Sequence, residues 1–191
     1  MKLTFSIIGI ALAIICSINI ACQTAVWYYV ITASLWCVAL EFALDGLFAL
    51  LINKLPDKWF GVNNRLFHVT KAERKLYKKL RIRRWKDKLW ELGGLGGFSK
   101  KTVANPDSPE YLEKFIIECH KGVAVHRVGY VMGFLAMLTL PNVCALTIAL
   151  PVAVVNVFIN SLSTMALRYN TPTLKAMYEK KLRAQNKTKA A

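Results

Sequence analysis

Hydrophobic and polar positions along this chain are sorted into long blocks instead of alternating at a helix or strand period. Leu3 to Cys22 is almost wholly apolar, and Thr24 to Asn53 is apolar apart from Glu41 and Asp45. A third block runs from Val123 to Leu140, fully apolar only from Val128, and a fourth from Val143 to Leu167. A helix needs about 20 mostly apolar residues to cross a bilayer. The pattern therefore predicts an all-α integral membrane protein with about four transmembrane helices, over 3–22, 24–53, 123–140 and 143–167. A water-soluble reading fails because four such stretches leave no polar face to meet water.

Charge fills what the apolar blocks leave. The chain has 191 residues, is 55% hydrophobic and carries a formal net charge of +15. Residues 54–122 hold 17 Lys or Arg against eight acids, residues 168–191 hold seven against one, and residues 128–167 hold no charge. Cationic loops stay on the cytoplasmic side of a membrane. This predicts a single membrane domain in the cell membrane, with a cytoplasmic loop over 54–122, a cytoplasmic tail over 168–191 and both termini inside. The uncharged links at Gln23 and at Pro141–Asn142 fall outside. A cleaved signal ending near Cys22, with that cysteine lipidated, is the competing reading of the first block. Its apolar run exceeds the usual h-region of about 7–15 residues, so a retained span is preferred.

Within the loop, TKAERKLYKKLRIRRWKDKLWEL, Thr70 to Leu92, reads as one basic amphipathic helix lying at the membrane interface. Thr70 and Glu73 have the spacing of a capping box. Ala72, Leu76, Tyr77, Leu80, Trp85, Leu89 and Leu92 form its apolar stripe. Pro56 ends the preceding helix, and Trp59 and Phe60 suit an interfacial aromatic belt. Gly93 to Gly97, GGLGG, fits a hinge, and neither a dinucleotide fingerprint nor a phosphate loop. NPDSP, Asn105 to Pro109, is a turn from which Ser108 and Pro109 open a helix leading into the third span.

That helix carries ECHKGVAVHR, Glu118 to Arg127. Glu118, Gly122 and His126 share one face at four-residue spacing. His126 is the best candidate general base, weighed against an anchoring role at the end of a span. Glu118 lies eight residues away, about 12 Å along the axis, so the two do not form a simple dyad. His68 and His120 read as solvated or interfacial, and their spacing argues against a metal site. Glu41 and Asp45, four apart inside the second span, should face a partner or a water-filled cavity, with Arg127 and Lys121 as candidate partners. The competing reading places them at the interface. Asn156 and Asn160 repeat the spacing in the fourth span and suit interhelical hydrogen bonding. The five cysteines form no CxxC pair and read as apolar buried thiols.

Several motifs in one order carry a family resemblance. LPDKWF follows a span; then come WKDKL at Trp85 to Leu89, the run around Glu118 with His126, and RYNTPTL at Arg168 to Leu174. Over roughly Leu55 to Arg183 the chain resembles the glycosyl-4,4'-diaponeurosporenoate acyltransferases of staphyloxanthin-type carotenoid synthesis. Glu118 and His126 match the family pattern; Lys121, Val123 and Arg127 stand where it has arginine, a second acid and tryptophan. The resemblance implies transfer of a fatty acyl group to a sugar hydroxyl of a glycosylated carotenoid or related glycolipid. The donor would be acyl-CoA or acyl-carrier protein, and no cofactor or metal is implied. It makes His126 and Glu118 catalytic candidates. Lys121, Trp85, Lys86, Arg168, Tyr169 and Asn170 become candidates for substrate binding. A non-enzymatic membrane protein binding anionic lipid or a protein partner through the basic loop is the alternative. Nucleic acid is not expected, because the cations sit beside spans where anionic lipid is the simpler partner.

Overall fold

A computed structural model describes residues 2–89 and 103–190. The described chain is helical: α1 (Lys2–Ala21), α2 (Trp27–Asn53), α3 (Lys71–Lys79), α4 (Pro109–Met132), the short α5 (Asn142–Cys144) and α6 (Leu150–Ala190). Four segments are long and apolar enough to cross a membrane: Leu3–Ala21, Trp27–Asn53, Pro109–Thr139 and Asn142–Lys187. Their outer faces carry Ile10, Ile14, Leu47, Leu50, Val131, Leu138 and Phe158, all exposed. Exposed apolar surface on this scale marks a lipid-facing belt.

The four helices run alternately up and down, so one end of the bundle collects the loop and the other collects the short turns. At the turn end, Val30, Ala33, Cys37, Ala136, Ile148 and Val152 form a buried core. At the loop end, Leu112, Phe115, Ile116 and Cys119 of α4 pack on Leu174 of α6. Both helices therefore continue well beyond the apolar part of their spans. At about 1.5 Å per residue, the 41 residues of α6 make a rod of about 60 Å.

Pro151 explains an irregularity at the start of α6. Proline has no N–H to give the carbonyl four residues back, here that of Thr147. Residues Ala145–Ala149 form a π-turn just before it. The Thr147 carbonyl instead accepts a hydrogen bond at 2.9 Å from Asn19 Nδ2, a 2%-exposed side chain on α1.

The loop departs from the single amphipathic helix predicted over 70–92. The capping box forms, with Thr70 Oγ1 accepting from the Glu73 amide at 3.1 Å. The helix, however, stops at Lys79, and Arg81 adopts the left-handed region at φ 50°. Two short 3-10 turns follow, Ile82–Arg84 and Lys86–Lys88. Leu76 and Leu80, expected inside, are exposed; Tyr77 and Ile82 are buried with Val69 against Met165, Tyr169 and Trp85. A straight helix could not carry Tyr77 and Ile82, five apart, on one face, so the turn at Arg81 redirects the chain to bury Ile82. Trp59 is exposed as a belt residue should be, but Phe60 turns inward against Phe67. Cys37, Cys119 and Cys144 are buried, whereas Cys22 is exposed. The GGLGG stretch and Leu92 lie outside the described residues.

Candidate functional site

Three helices each bring a pair of residues four apart to one place inside the bundle. Glu41 and Asp45 come from α2, Gly129 from α4 with Gly133 from the 3-10 segment that continues it, and Asn156 and Asn160 from α6. The glycines make room. A Cβ on Gly129 would lie 2.8 Å from Asp45 Oδ1 and 2.9 Å from Asn160 Nδ2. One on Gly133 would lie 2.5 Å from Asn156 Nδ2 and 3.2 Å from Glu41 Oε1. Asn156 Nδ2 donates to the Gly129 carbonyl at 3.3 Å, so the fourth span is hydrogen-bonded to the third.

Glu41 is 7% exposed and Asp45 is half-buried, both turned toward the other two helices. The cations expected as partners are elsewhere. Lys121 is buried and pairs with Asp57 at 2.6 Å and Glu118 at 3.6 Å. Arg127 donates to the Leu66 carbonyl at 3.3 Å and lies over the Phe67 ring. Asp45 instead meets Asn160 Nδ2 at 3.5 Å. No hydrogen bond or ion pair to the Glu41 carboxyl is found among the described residues, and its Oε1 is fully buried.

His126 joins the cluster through Asn160, with Nδ1 2.7 Å from Asn160 Oδ1. The Asn160 amide nitrogen is occupied by Asn156 Oδ1 at 2.8 Å, the Asn156 carbonyl at 3.2 Å and Asp45. Its Oδ1 must then be the atom facing His126 and must accept. Assigned from this network, His126 Nδ1 carries the hydrogen and Nε2 carries the lone pair of a neutral imidazole. Asp45, Asn160 and His126 form a line in which an acid holds an amide and the amide holds an imidazole. Glu118 takes no part in it.

The remaining candidates lie toward the loop end. Arg168 is buried, donating from Nε to Glu73 Oε1 at 2.6 Å and from Nη2 to Glu73 Oε2 at 2.8 Å and the His68 carbonyl at 2.9 Å. Tyr77 donates a short hydrogen bond to the same carboxylate. Burial alone would raise the Glu73 carboxyl, but the bonds from Arg168 and Tyr77 and the guanidinium charge outweigh it and hold the group at about 2. Arg168 is thus a staple between α6 and the loop, eight residues and about 12 Å along the axis from Asn160. Tyr169 packs in the Tyr77–Ile82 cluster, and Asn170 is half-buried beside it. Trp85 Nε1 donates to the Leu80 carbonyl, and Lys86 pairs with its neighbour Asp87. His120, expected to be solvated, is 2% exposed, stacked on Phe67 at 4.5 Å with Nδ1 2.9 Å from the Phe60 carbonyl. No metal-holding group of three or more ligands occurs among the described residues.

Sequence reading found the acid pair, the asparagine pair and His126, but missed Gly129 and Gly133. The signal was present: GYVMG is a small-xxx-small pattern, the spacing that lets membrane helices approach closely.

The family model CrtO, described as glycosyl-4,4'-diaponeurosporenoate acyltransferase, matches residues 56–180. The match covers α3, α4 and most of α6 and leaves α1 and α2 outside. No curated protein and no solved structure matches the chain. With about two thirds of its length matched, the chain belongs to the glycosyl-4,4'-diaponeurosporenoate acyltransferase family.

Proposed function

We propose that this protein transfers a fatty acyl group to a sugar hydroxyl of a glycosylated carotenoid or related glycolipid in the cell membrane. The loop end and both termini lie in the cytoplasm. The observation that carries the site assignment is the 2.7 Å contact between His126 Nδ1 and Asn160 Oδ1. It sets the tautomer a general base requires. His126 Nε2 takes the proton from the sugar hydroxyl as its oxygen attacks the carbonyl carbon of an acyl thioester, acyl-CoA or acyl-carrier protein. When the tetrahedral intermediate collapses, the carbon–sulfur bond breaks and the imidazolium returns the proton to the leaving thiolate. Asn160, braced by Asp45, holds the ring and disperses the positive charge it acquires.

Glu118 and Lys121 keep a supporting role: with Asp57 they hold α4 to the loop. Arg168 and Tyr169, expected to bind substrate, act here through the fold, since the Arg168 guanidinium is engaged by Glu73. Trp85, Lys86 and Asn170 line the same loop-end region, where a thioester donor approaches from water. Tyr130, donating to Thr164 Oγ1 at 3.0 Å, places two hydroxyls one turn from His126 and Asn160. With the Tyr130 hydrogen given to Thr164, the Thr164 hydroxyl is the oxyanion donor we assign. The test is mass spectrometry of lipids from cells making the glycosylated acceptor. Wild type should yield an acyl ester that His126→Ala lowers by about 10²–10⁴-fold in rate. Full activity in a correctly inserted His126→Ala protein would overturn the assignment.

A further inference from the structure

A cleft between α1, α2 and α6 runs alongside the polar cluster. Ile8, Leu12, Ile15, Val38, Val152 and Val155 line its length, and Glu41, Asp45 and Asn156 stand on its wall. It has about 50 Å³ of room, several times what one water needs. Its walls suit a single hydrocarbon chain, and its polar wall is unusual. The Glu41 carboxyl is buried there without a hydrogen-bond or ion-pair partner among the described residues. A buried carboxyl left unpaired costs several kcal/mol, and a ligand that donates to it would recover much of that.

We propose that this cleft holds the hydrocarbon chain of the glycosylated acceptor lipid, with a headgroup hydroxyl donating to the Glu41 carboxyl. The inference rests on the acyl-transfer reading above and supplies its acceptor site. Two acids face the cleft and the nearest cations are engaged elsewhere, Lys121 by Asp57 and Arg127 by the Leu66 carbonyl. An anionic headgroup therefore finds neither of these cations there, whereas a sugar, rich in hydroxyl donors, finds two carboxyl acceptors. The site is also placed for reaction. Glu41 meets Gly133 and Asp45 meets Gly129, and Asn160 joins Asp45 to His126. Gly133 is seven residues from His126, about 10 Å along α4. The tail of a sugar-headed lipid anchored on the acids follows Leu12 and Ile15. The α1 and α2 walls of the cleft lie outside the family-matched segment, and its α6 wall lies within it.

The experiment uses the full chain carrying His126→Ala, reconstituted without acyl donor, and an alkyl β-glucoside with a diazirine in its chain. A phosphocholine lipid with the same photoreactive chain is the comparison. The expected result is saturable glucoside labelling of residues 8–15 and 152–159, competed by unlabelled glucoside. Leu12→Trp should block it. Glu41→Met should weaken it about fivefold, the loss of one hydrogen bond, with an unchanged unfolding midpoint as the control for folding. Should Glu41→Met fail that control, Glu41→Ala and Leu12→Trp carry the test. Equal labelling by both headgroups, or labelling that ignores all these substitutions, overturns the inference. Acyl transfer without saturable cleft labelling overturns it alone. Saturable cleft labelling without acyl transfer upholds it while the transferase reading fails.

Discussion

Arg168 and Glu73 allow the sharpest test of how the loop is held. The pair is bidentate, Arg168 is 7% exposed, and Glu73 also accepts from Tyr77. A carboxyl held at about 2 instead of its ordinary 4.5 corresponds to roughly 3 kcal/mol at ~1.36 kcal/mol per pH unit. Because about a fifth of the Glu73 side chain is exposed, solvent screening brings this to about 2 kcal/mol. The perturbation is a double-mutant cycle of Glu73→Gln and Arg168→Met, read as thermal unfolding in detergent by tryptophan fluorescence. The double variant should lose less stability than the two single losses sum to, with a coupling of about 2 kcal/mol near neutral pH. The group is depressed on folding, so its contribution is complete above pH 4.5 and is lost as pH falls toward 2. Coupling should shrink to less than half by about pH 3. Additive singles at pH 7, within about 0.5 kcal/mol, or a coupling that grows on acidification, would refute the staple.

Other consequences follow from the cluster. Gly133→Ala drives a methyl against Asn156 and Glu41; it should destabilise by about 1–3 kcal/mol of overpacking and be seen as a lowered unfolding midpoint. Asn160→Leu leaves His126 without its orienting acceptor; kcat should fall about 10–100-fold, the usual scale for losing such a partner, while KM changes little in a steady-state ester assay. Asn19→Ala strands the Thr147 carbonyl and should lower stability by about 0.6–1.7 kcal/mol, the range of interhelical hydrogen bonds in membranes.

The helices were legible because block hydrophobicity and caps are local signals. Ser108 caps α4 by accepting from the Tyr111 amide at 3.1 Å, with Pro109 at its first position, as the sequence suggested. The break at Arg81 was hidden because Leu76, Leu80 and Trp85 mimic a helical stripe, whereas the burial that matters is of Tyr77 and Ile82 against α6. Residues four apart at 41/45 and 156/160 announced two polar faces. Nothing local says they meet across Gly129 and Gly133. For the same reason Glu118, near His126 in sequence, was a better guess than Asn160, which is 34 residues away. Nothing local in the sequence announces that Arg168 pairs with Glu73, 95 residues away.

Pro151 has no N–H to give the Thr147 carbonyl, which Asn19 reaches across from α1, so positions 19 and 151 bear on the same carbonyl. With alanine at 151 the helix can close on its own carbonyl, and Asn19 becomes a polar group with one fewer reason to be buried. Removing Asn19 should then harm a proline background and spare an alanine one, a reversal that geneticists would score as epistasis. Descendants of this chain should change the two positions together or not at all. The first span, though outside the shared family segment, is thereby bound to the evolutionary fate of the fourth.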